Sequence, residues 1–231
     1  MSSLSRLSPD TTRKMLYPKV TERSRAGIAR SRTPHPVRRR VALVTGSSRG
    51  VGCAIAQRLA RDGLAVAVND GADAEQAQGV VGAIRRDGGI AEAFTGDVAD
   101  ADQVAELAAA VAGSLGPVDV LVLNAAGPRP HVPLADVAWA LRRALLPAMK
   151  ASGSGRIVKV DPEVLDSARP GMTRSWAWEL APLGITVNTV APRFVAPHGA
   201  VAHVVSFVAS PDADHITGQR IVVDGGRGPV G

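Results

Sequence analysis

The sequence has little cysteine and few aromatic residues, and it has no long apolar run. Of its 231 residues, one is cysteine, 3% are aromatic and the single tyrosine is Tyr17. The lone Cys53 excludes an intrachain disulfide and suits a reducing compartment, so we expect a cytoplasmic protein in which Cys53 is a small core residue. No apolar run reaches the roughly 18–20 residues that a membrane-spanning helix needs, so we expect a soluble protein.

Positive charge is concentrated at the N-terminus. The formal net charge is +6, but residues 1–40 alone carry eleven Lys or Arg against Asp10 and Glu22. This segment is rich in Ser, Arg and Pro and has no apolar periodicity, which predicts a basic, disordered tail over 1–38. It contains no nucleic-acid-binding motif, and its acidic residues argue against a transit peptide, so a solvated extension is the favoured interpretation.

Residues 39–231 alternate between strand and helix patterns, which predicts a single α/β domain: a doubly wound parallel sheet of about seven strands with helices on both faces. The predicted strands lie near 41–45, 64–69, 90–95, 118–123, 155–160, 185–190 and 219–223. The predicted helices lie near 50–62, 73–86, 101–115, 135–150, 170–182 and 199–210.

A glycine-rich turn, Thr45-Gly-Ser-Ser-Arg-Gly-Val-Gly52, follows the first predicted strand. Gly46 permits a tight turn, Gly50 lets the backbone approach phosphate oxygens, and Gly52 lets the helix pack closely. This order is typical of the Rossmann dinucleotide-binding turn. Within it we predict cofactor-binding roles for Gly46, Ser48, Arg49, Gly50, Val51 and Gly52.

Polar or small residues also end the next three predicted strands. Asp70 lies about 20 residues after the glycines, where a carboxylate can bind a ribose 2′-hydroxyl. Its charge favours NAD(H), whereas Arg49 could pair with a 2′-phosphate and favour NADP(H). Because Asp70 occupies the more discriminating position by spacing, we predict NAD(H). The further cofactor-binding candidates are Asp97, Val98, Asn124, Ala125, Ala126 and Gly127.

These motifs together resemble the short-chain dehydrogenase/reductase family from about Arg40 to Gly226, and most closely its 3-oxoacyl-carrier-protein reductases. The turn matches the family's Thr-Gly-x-x-x-Gly-x-Gly, and Asp97-Val98 matches its adenine-contacting pair. Asn124–Gly127 matches its Asn-Asn-Ala-Gly element, with Ala125 in place of the second Asn. The resemblance implies a dinucleotide-dependent oxidoreductase acting on a small carbonyl or acyl substrate.

The family's acid–base residues have no counterparts here. The resemblance implies a Ser, a Tyr-x-x-x-Lys pair and an upstream Asn, but no tyrosine follows Tyr17, and the predicted folded part contains only two lysines, Lys150 and Lys159. By this comparison the chain is shortened after the fifth strand, in the helix at 135–150 and after Pro192. The sequence therefore predicts that the part of the site that binds the adenine half of the dinucleotide is intact. It predicts that the part that would hold the nicotinamide and the substrate is shortened.

Alternatives for function remain open. The chain is predicted to be weakly active or inactive alone; alternatively, it is a working reductase whose proton donor is Asp161 or His131, or a non-catalytic partner subunit of a heteromeric reductase.

The two helices that would form the family's broad dimer face are shortened. We therefore expect a homodimer or heteromer to use the C-terminal face, formed by the last strand and the helix near 200–209. No metal site is predicted.

Overall fold

Strands and helices alternate along the chain as the apolar periodicity predicts. The computed structural model describes residues 38–124, 134–161, 170–193 and 196–226; the predicted tail up to residue 37 lies outside them. The strands are β1 (Val41–Val44), β2 (Ala65–Asp70), β3 (Ile90–Thr95), β4 (Val118–Leu123), β5 (Gly155–Val160), β6 (Ile185–Pro192) and β7 (Arg220–Val223). The helices are α1 (Gly50–Arg61), α2 (Ala74–Arg86), α3 (Ala101–Ser114), α4 (Leu134–Ser152), α5 (Pro170–Leu180) and α6 (His198–Ala209).

The seven strands form one parallel sheet in the order β3-β2-β1-β4-β5-β6-β7. The chain first winds outward from β1 to β3, then crosses back and continues from β4 to β7. The predicted doubly wound, Rossmann-like fold is thus confirmed. In such a sheet the winding direction changes between β1 and β4, and a crevice opens there at the carboxyl ends of the strands.

Side chains of each central strand alternate between two cores. In β1, Ala42 and Val44 pack with α1, α2 and α6, whereas Val41 and Leu43 face the opposite core beneath α3, α4 and α5. All four are fully buried. Burial on both faces explains why the strands are rich in Ala and Val and carry few polar residues.

Helices α1 and α6 pack side by side on one face of the sheet. The Ser206 hydroxyl donates a hydrogen bond of 2.6 Å to Asp62 Oδ2, which ties α6 to the end of α1. Both helices follow strands of a parallel sheet, so both begin at its carboxyl edge. Two helix N-termini therefore lie at the edge where the crevice opens.

No helix in the described part of the chain is both long and apolar enough to cross a membrane. The 19-residue α4 contains Pro147, Arg142 and Lys150. Over the same described ranges, no group of three or more His, Cys, Asp or Glu side chains is arranged to hold a metal ion.

Candidate functional site

The turn between β1 and α1 depends on glycine. Gly46 has φ 59° and Gly50 has φ 57°, backbone angles that side-chain-bearing residues rarely adopt. Arg49 stands in an extended conformation at the N-cap of α1 and supplies no side-chain cap to the helix. The first N–H groups of α1 therefore face the carboxyl edge without a side-chain cap from Arg49, which is the arrangement that binds phosphate at helix N-termini.

Gly52 is required for close packing inside this turn. A Cβ atom there would lie 2.3 Å from the carbonyl oxygen of Gly46 and 2.6 Å from Nδ2 of Asn124. Both distances are far below van der Waals contact. The first turn of α1 can therefore approach the glycine loop and the end of β4 only because residue 52 has no side chain.

Asn124, directly after β4, holds the glycine loop in place through hydrogen bonds. Its Nδ2 donates to the carbonyl oxygens of Thr45 at 3.1 Å and Gly46 at 3.0 Å. Its backbone N–H donates to the Thr45 hydroxyl at 3.0 Å. The sequence predicts Asn124 as a cofactor contact. In the structure its side chain holds the backbone of the glycine loop in place through these hydrogen bonds.

Two residues that the sequence analysis did not single out, Ser47 and Asn69, fix the loop from the side of β2. The Ser47 backbone N–H donates to the Asn69 carbonyl at 2.9 Å, and the Asn69 N–H donates to the Ser47 hydroxyl at 3.1 Å. Asn69 Nδ2 also donates to the carbonyl of Gly96 at 3.1 Å. The available signal was a polar Asn at the end of an apolar strand.

Asp70 closes the carboxyl end of β2 beside the loop. It accepts hydrogen bonds from the Ser48 hydroxyl and from the backbone N–H groups of Ala72 at 2.9 Å and Asp73 at 3.1 Å. Partial burial alone would raise the pKa of Asp70, but these bonds and the nearby charge of Arg49 outweigh it and lower the pKa below its usual value. Asp70 is thus a fixed, ionised acceptor.

Asp97 and Val98 lie at the next position along the same edge. The Asp97 backbone N–H donates to Oε1 of Gln103, and Asp97 Oδ1 accepts from the N–H of Ala99, both at 2.9 Å. Val98 is buried in the core beneath α3. The short segment that follows β3 is therefore held rigidly.

These elements enclose a cleft of about 250 Å³. Of the predicted residues, Gly46, Arg49, Asp70, Asp97, Val98 and Asn124 line it, together with Asn69, Gly71, Ala72 and Gly96. Ser48 acts on it through Asp70, Val51 packs against the core, and Gly50 and Gly52 shape the turn. Ala125, Ala126, Gly127 and His131 lie outside the described residues.

A second polar group lies further along the edge, at the end of β5. The Lys159 ammonium pairs with the Asp161 carboxylate. Lys159 is only 3% exposed and stands in register between Leu123 of β4 and Thr189 of β6. The sequence predicts Asp161 as a candidate but not Lys159, for which the signal was a lysine near the end of a buried strand.

The sequence of the chain matches the model of the short chain dehydrogenase family over residues 40–163. The chain belongs to this short-chain dehydrogenase family. Its members generally bind NAD(P)(H), and the cleft between the glycine loop and Asp70 has the donors, the acceptor and the close backbone approach that such a dinucleotide needs.

Similar proteins in the family include enzymes of several substrate classes. The 3-oxoacyl-[acyl-carrier-protein] reductase FabG of Staphylococcus aureus is 34% identical over 238 positions, covering 80% of this chain and 96% of that protein. A cis-4-hydroxycyclohexanecarboxylate dehydrogenase of Sinomonas cyclohexanicum is 34% identical, covering 81% and 96%. A hydroxysteroid dehydrogenase from Escherichia coli has a similar crystal structure, with a TM-score of 0.73, 28% identity and coverage of 81% and 96%. The chain is thus an oxidoreductase-family protein related to FabG-type reductases.

The alignment with the Staphylococcus aureus reductase has more positions than the number of residues that this chain contributes to it. It extends over 238 positions, whereas 80% of the 231 residues is about 185. About 50 aligned positions therefore stand opposite gaps in this chain. Nearly the full length of the reductase is nonetheless covered, so the missing positions are internal to the shared fold.

Proposed function

We propose that this chain binds NAD(P)(H), with NAD(H) preferred. We further propose that the part of the site beside the nicotinamide has lost residues that catalysis needs, so that the isolated protein is weakly active or inactive. The observation that carries the proposal is Asp70: a carboxylate fixed by three hydrogen-bond donors beside the glycine loop. In this position it can accept hydrogen bonds from a ribose 2′-hydroxyl and repels a 2′-phosphate. The site residues proposed are those named in the sequence analysis, within one domain over 39–231.

The competing choice of NADP(H) depends on Arg49. Its side chain is exposed and lines the same cleft as Asp70, so it could reach a 2′-phosphate. However, its charge also acts on the Asp70 carboxylate, whose pKa it helps to lower. A 2′-phosphate would have to enter beside that fixed negative charge, which is why we favour NAD(H).

The proposal of weak activity follows from the residues that the chain has for the reaction beside the nicotinamide. When bound, the nicotinamide of the dinucleotide supplies or accepts a hydride. The substrate oxygen then needs a proton donor, yet no tyrosine occurs after Tyr17. General acid catalysis contributes about 10²–10⁴-fold to such reactions. The roughly 50 unmatched positions against the relative support a loss of this part of the site.

One observation favours the alternative of a working enzyme with an unusual donor. The Lys159–Asp161 pair lies at the carboxyl end of β5, and Lys159 is nearly fully buried. In this pair the ammonium donates and the carboxylate accepts, so a proton is held beside the part of the site that is proposed to hold the nicotinamide. Lys159, positioned by Asp161, is therefore the proton donor that this pair offers, beside the donors Asp161 and His131 that the sequence predicts.

Dinucleotide binding is tested by calorimetric titration of NADH and NADPH against the purified protein. We expect NADH to bind and Gly50→Val to abolish binding, because residue 50 has positive φ and backbone close to the phosphate position. The absence of binding to either nucleotide at millimolar concentration would refute both the binding module and the enzyme.

Turnover is tested by following NADH and NADPH oxidation with a panel of ketones and 3-oxoacyl compounds. The variants are Asp161→Asn and His131→Ala, with Asp212→Asn, an exposed carboxylate near the end of α6, as the control. We expect little or no turnover from any of them. Robust turnover that one of the first two substitutions removes would establish the alternative, and robust turnover that neither affects would show that the proton donor lies elsewhere.

We further propose that assembly into a homodimer or heteromer uses the C-terminal face. Two large apolar side chains are exposed there, Phe207 on α6 at 46% and Val222 on β7 at 39%. β7 is also an outer strand of the described sheet, so one side of its backbone has no strand partner within it. Sedimentation analysis of Val222→Glu, compared with Trp178→Glu on the exposed surface of α5, tests this: we expect only the first to dissociate the assembly.

A further inference from the structure

His198 is the first residue of α6, and its ring lies against the glycine loop. The imidazole Cε1 lies 4.0 Å from the position that a Cβ of Gly50 would occupy, and it is the nearest atom to that position in the described structure beyond the loop's own chain neighbours. His198 itself is exposed to solvent. The ring therefore borders the open space that the missing side chain of Gly50 leaves.

The chain places His198 there because the connection before α6 is short. β6 ends at Pro192 and α6 begins at His198, so five residues join them. Because α6 packs beside α1, its N-terminus comes directly alongside the N-terminus of α1. Pro197 at the N-cap has φ −57° and ψ 134° and supplies no side-chain cap, so the first residue of the helix projects at the edge.

We propose that His198 is a phosphate ligand of the bound dinucleotide, donating from its imidazole to the pyrophosphate that the backbone at Gly50 approaches. This inference rests on the proposed function, since it concerns the same cleft. The loop binds phosphate through backbone N–H groups and the helix N-terminus, and an imidazole N–H adds a side-chain donor from a second element. The group that His198 would recognise is the pyrophosphate, whether or not the ligand also carries a nicotinamide.

A phosphate contact would distinguish His198 from the residues that are predicted to bind the adenosine part of the dinucleotide. Asp70 and Asp97 line the cleft beside β2 and β3, whereas His198 is not among the residues that line it and approaches the loop from the side of α6. Loss of His198 should therefore weaken ligands that carry a pyrophosphate and leave adenosine unaffected.

The test is calorimetric titration of NADH and ADP-ribose, with adenosine followed by NMR chemical-shift titration. The variants are His198→Ala and His198→Lys, and the matched control is His203→Ala, a second exposed histidine of the same helix. For His198→Ala we expect a Kd about 5–10-fold weaker for NADH and ADP-ribose, as for one lost hydrogen bond to a charged group at an exposed site, and an unchanged Kd for adenosine. His198→Lys should restore most of the affinity, and His203→Ala should match the parent protein.

The outcomes separate this inference from the proposed function. If the parent protein binds NADH and His198→Ala binds it equally well, the phosphate contact is refuted while dinucleotide binding stands. If adenosine is weakened as much as NADH, His198 shapes the cleft rather than contacting phosphate, and the inference again fails. If the parent protein binds none of the three probes, the proposed function itself is refuted. The thermal midpoint of each variant shows that altered binding does not come from unfolding.

Discussion

The side-chain nitrogen of Asn124 lies 3.0 Å from the carbonyl oxygen of Gly46, so the residue directly after β4 holds the turn that follows β1. A second bond of 3.1 Å reaches the carbonyl of Thr45. The two strands flank the position where the sheet reverses its winding. The geometry of the glycine loop is therefore set by a contact across that position, between residues 78 apart in the chain.

Asn124→Ala should destabilise the protein by about 1–3 kcal/mol, because two partly buried side-chain hydrogen bonds to loop carbonyls are lost. Asn124→Asp should be at least as destabilising, since a carboxylate cannot donate and would face two carbonyl oxygens. NADH affinity should fall in both variants as the loop loosens. Urea unfolding and calorimetric titration measure the two effects, and unchanged stability in both variants would show that Asn124 does not hold the loop in place.

Gly52→Ala should destabilise the protein by about 2–3 kcal/mol, as overpacked sites do, because its Cβ would overlap the Gly46 carbonyl. The matched control is Gly79→Ala in α2, where no atom lies within 4 Å of the added Cβ. There the substitution should stabilise the helix by up to about 1 kcal/mol. Urea unfolding of both variants checks this; similar effects at the two positions would contradict the close packing at Gly52.

The alternation of strands and helices could be predicted from the sequence to within two residues at each end. Buried strands such as β1 and β4 are wholly or largely apolar, and the segments after them are marked by glycine, Asp or Asn. One of the two-residue differences is at β6, predicted to end at 190, which continues to Pro192 and pairs there with Val223. A proline commonly ends a strand, but here the backbone N–H of the next residue, Arg193, continues the pairing to Val223.

The residues in and around the candidate site were predictable only where a motif has fixed spacing. Gly46, Gly50 and Asp70 follow from the distance between the glycine turn and the end of the next strand. Lys159 and His198 do not, because their positions depend on which strands are neighbours and on how α6 packs beside α1. Such relationships come from tertiary structure, and a single sequence carries no spacing that reveals them.

The thiol of Cys53 should react slowly. Burial raises its pKa above the ordinary value of 9.0, so at pH 7.5 less than about 3% is present as the reactive thiolate. Reaction with a disulfide reagent should be at least about 10-fold slower in the native protein than in urea, and its rate should keep rising with pH up to and beyond pH 9, because the thiolate fraction grows until the raised pKa is passed. Equal rates in the two states would contradict a packed, structural Cys53.

The Asp70 carboxylate should contribute to stability at all but acidic pH. Its pKa in the folded protein is lowered from the ordinary 3.8, so its contribution is complete above that value and is lost as the pH falls through the folded pKa. The difference in unfolding free energy between the parent protein and Asp70→Asn should thus be constant from pH 5 to 8 and shrink below pH 4. A difference that changes between pH 5 and 8 would contradict the lowered pKa.

Removal of the same charge should change the choice of dinucleotide. In Asp70→Ser the repulsion of a 2′-phosphate is lost and Arg49 is left as the nearby charge, so the ratio of NADPH to NADH affinity should rise by about 10-fold or more. Asp87→Asn, which removes an exposed carboxylate that pairs with Arg61 after α2, is the control and should leave the ratio unchanged. Calorimetric titration of both nucleotides against the three proteins measures it. A parent protein that already prefers NADPH, or a ratio that stays constant in Asp70→Ser, would show that Arg49 rather than Asp70 sets the preference.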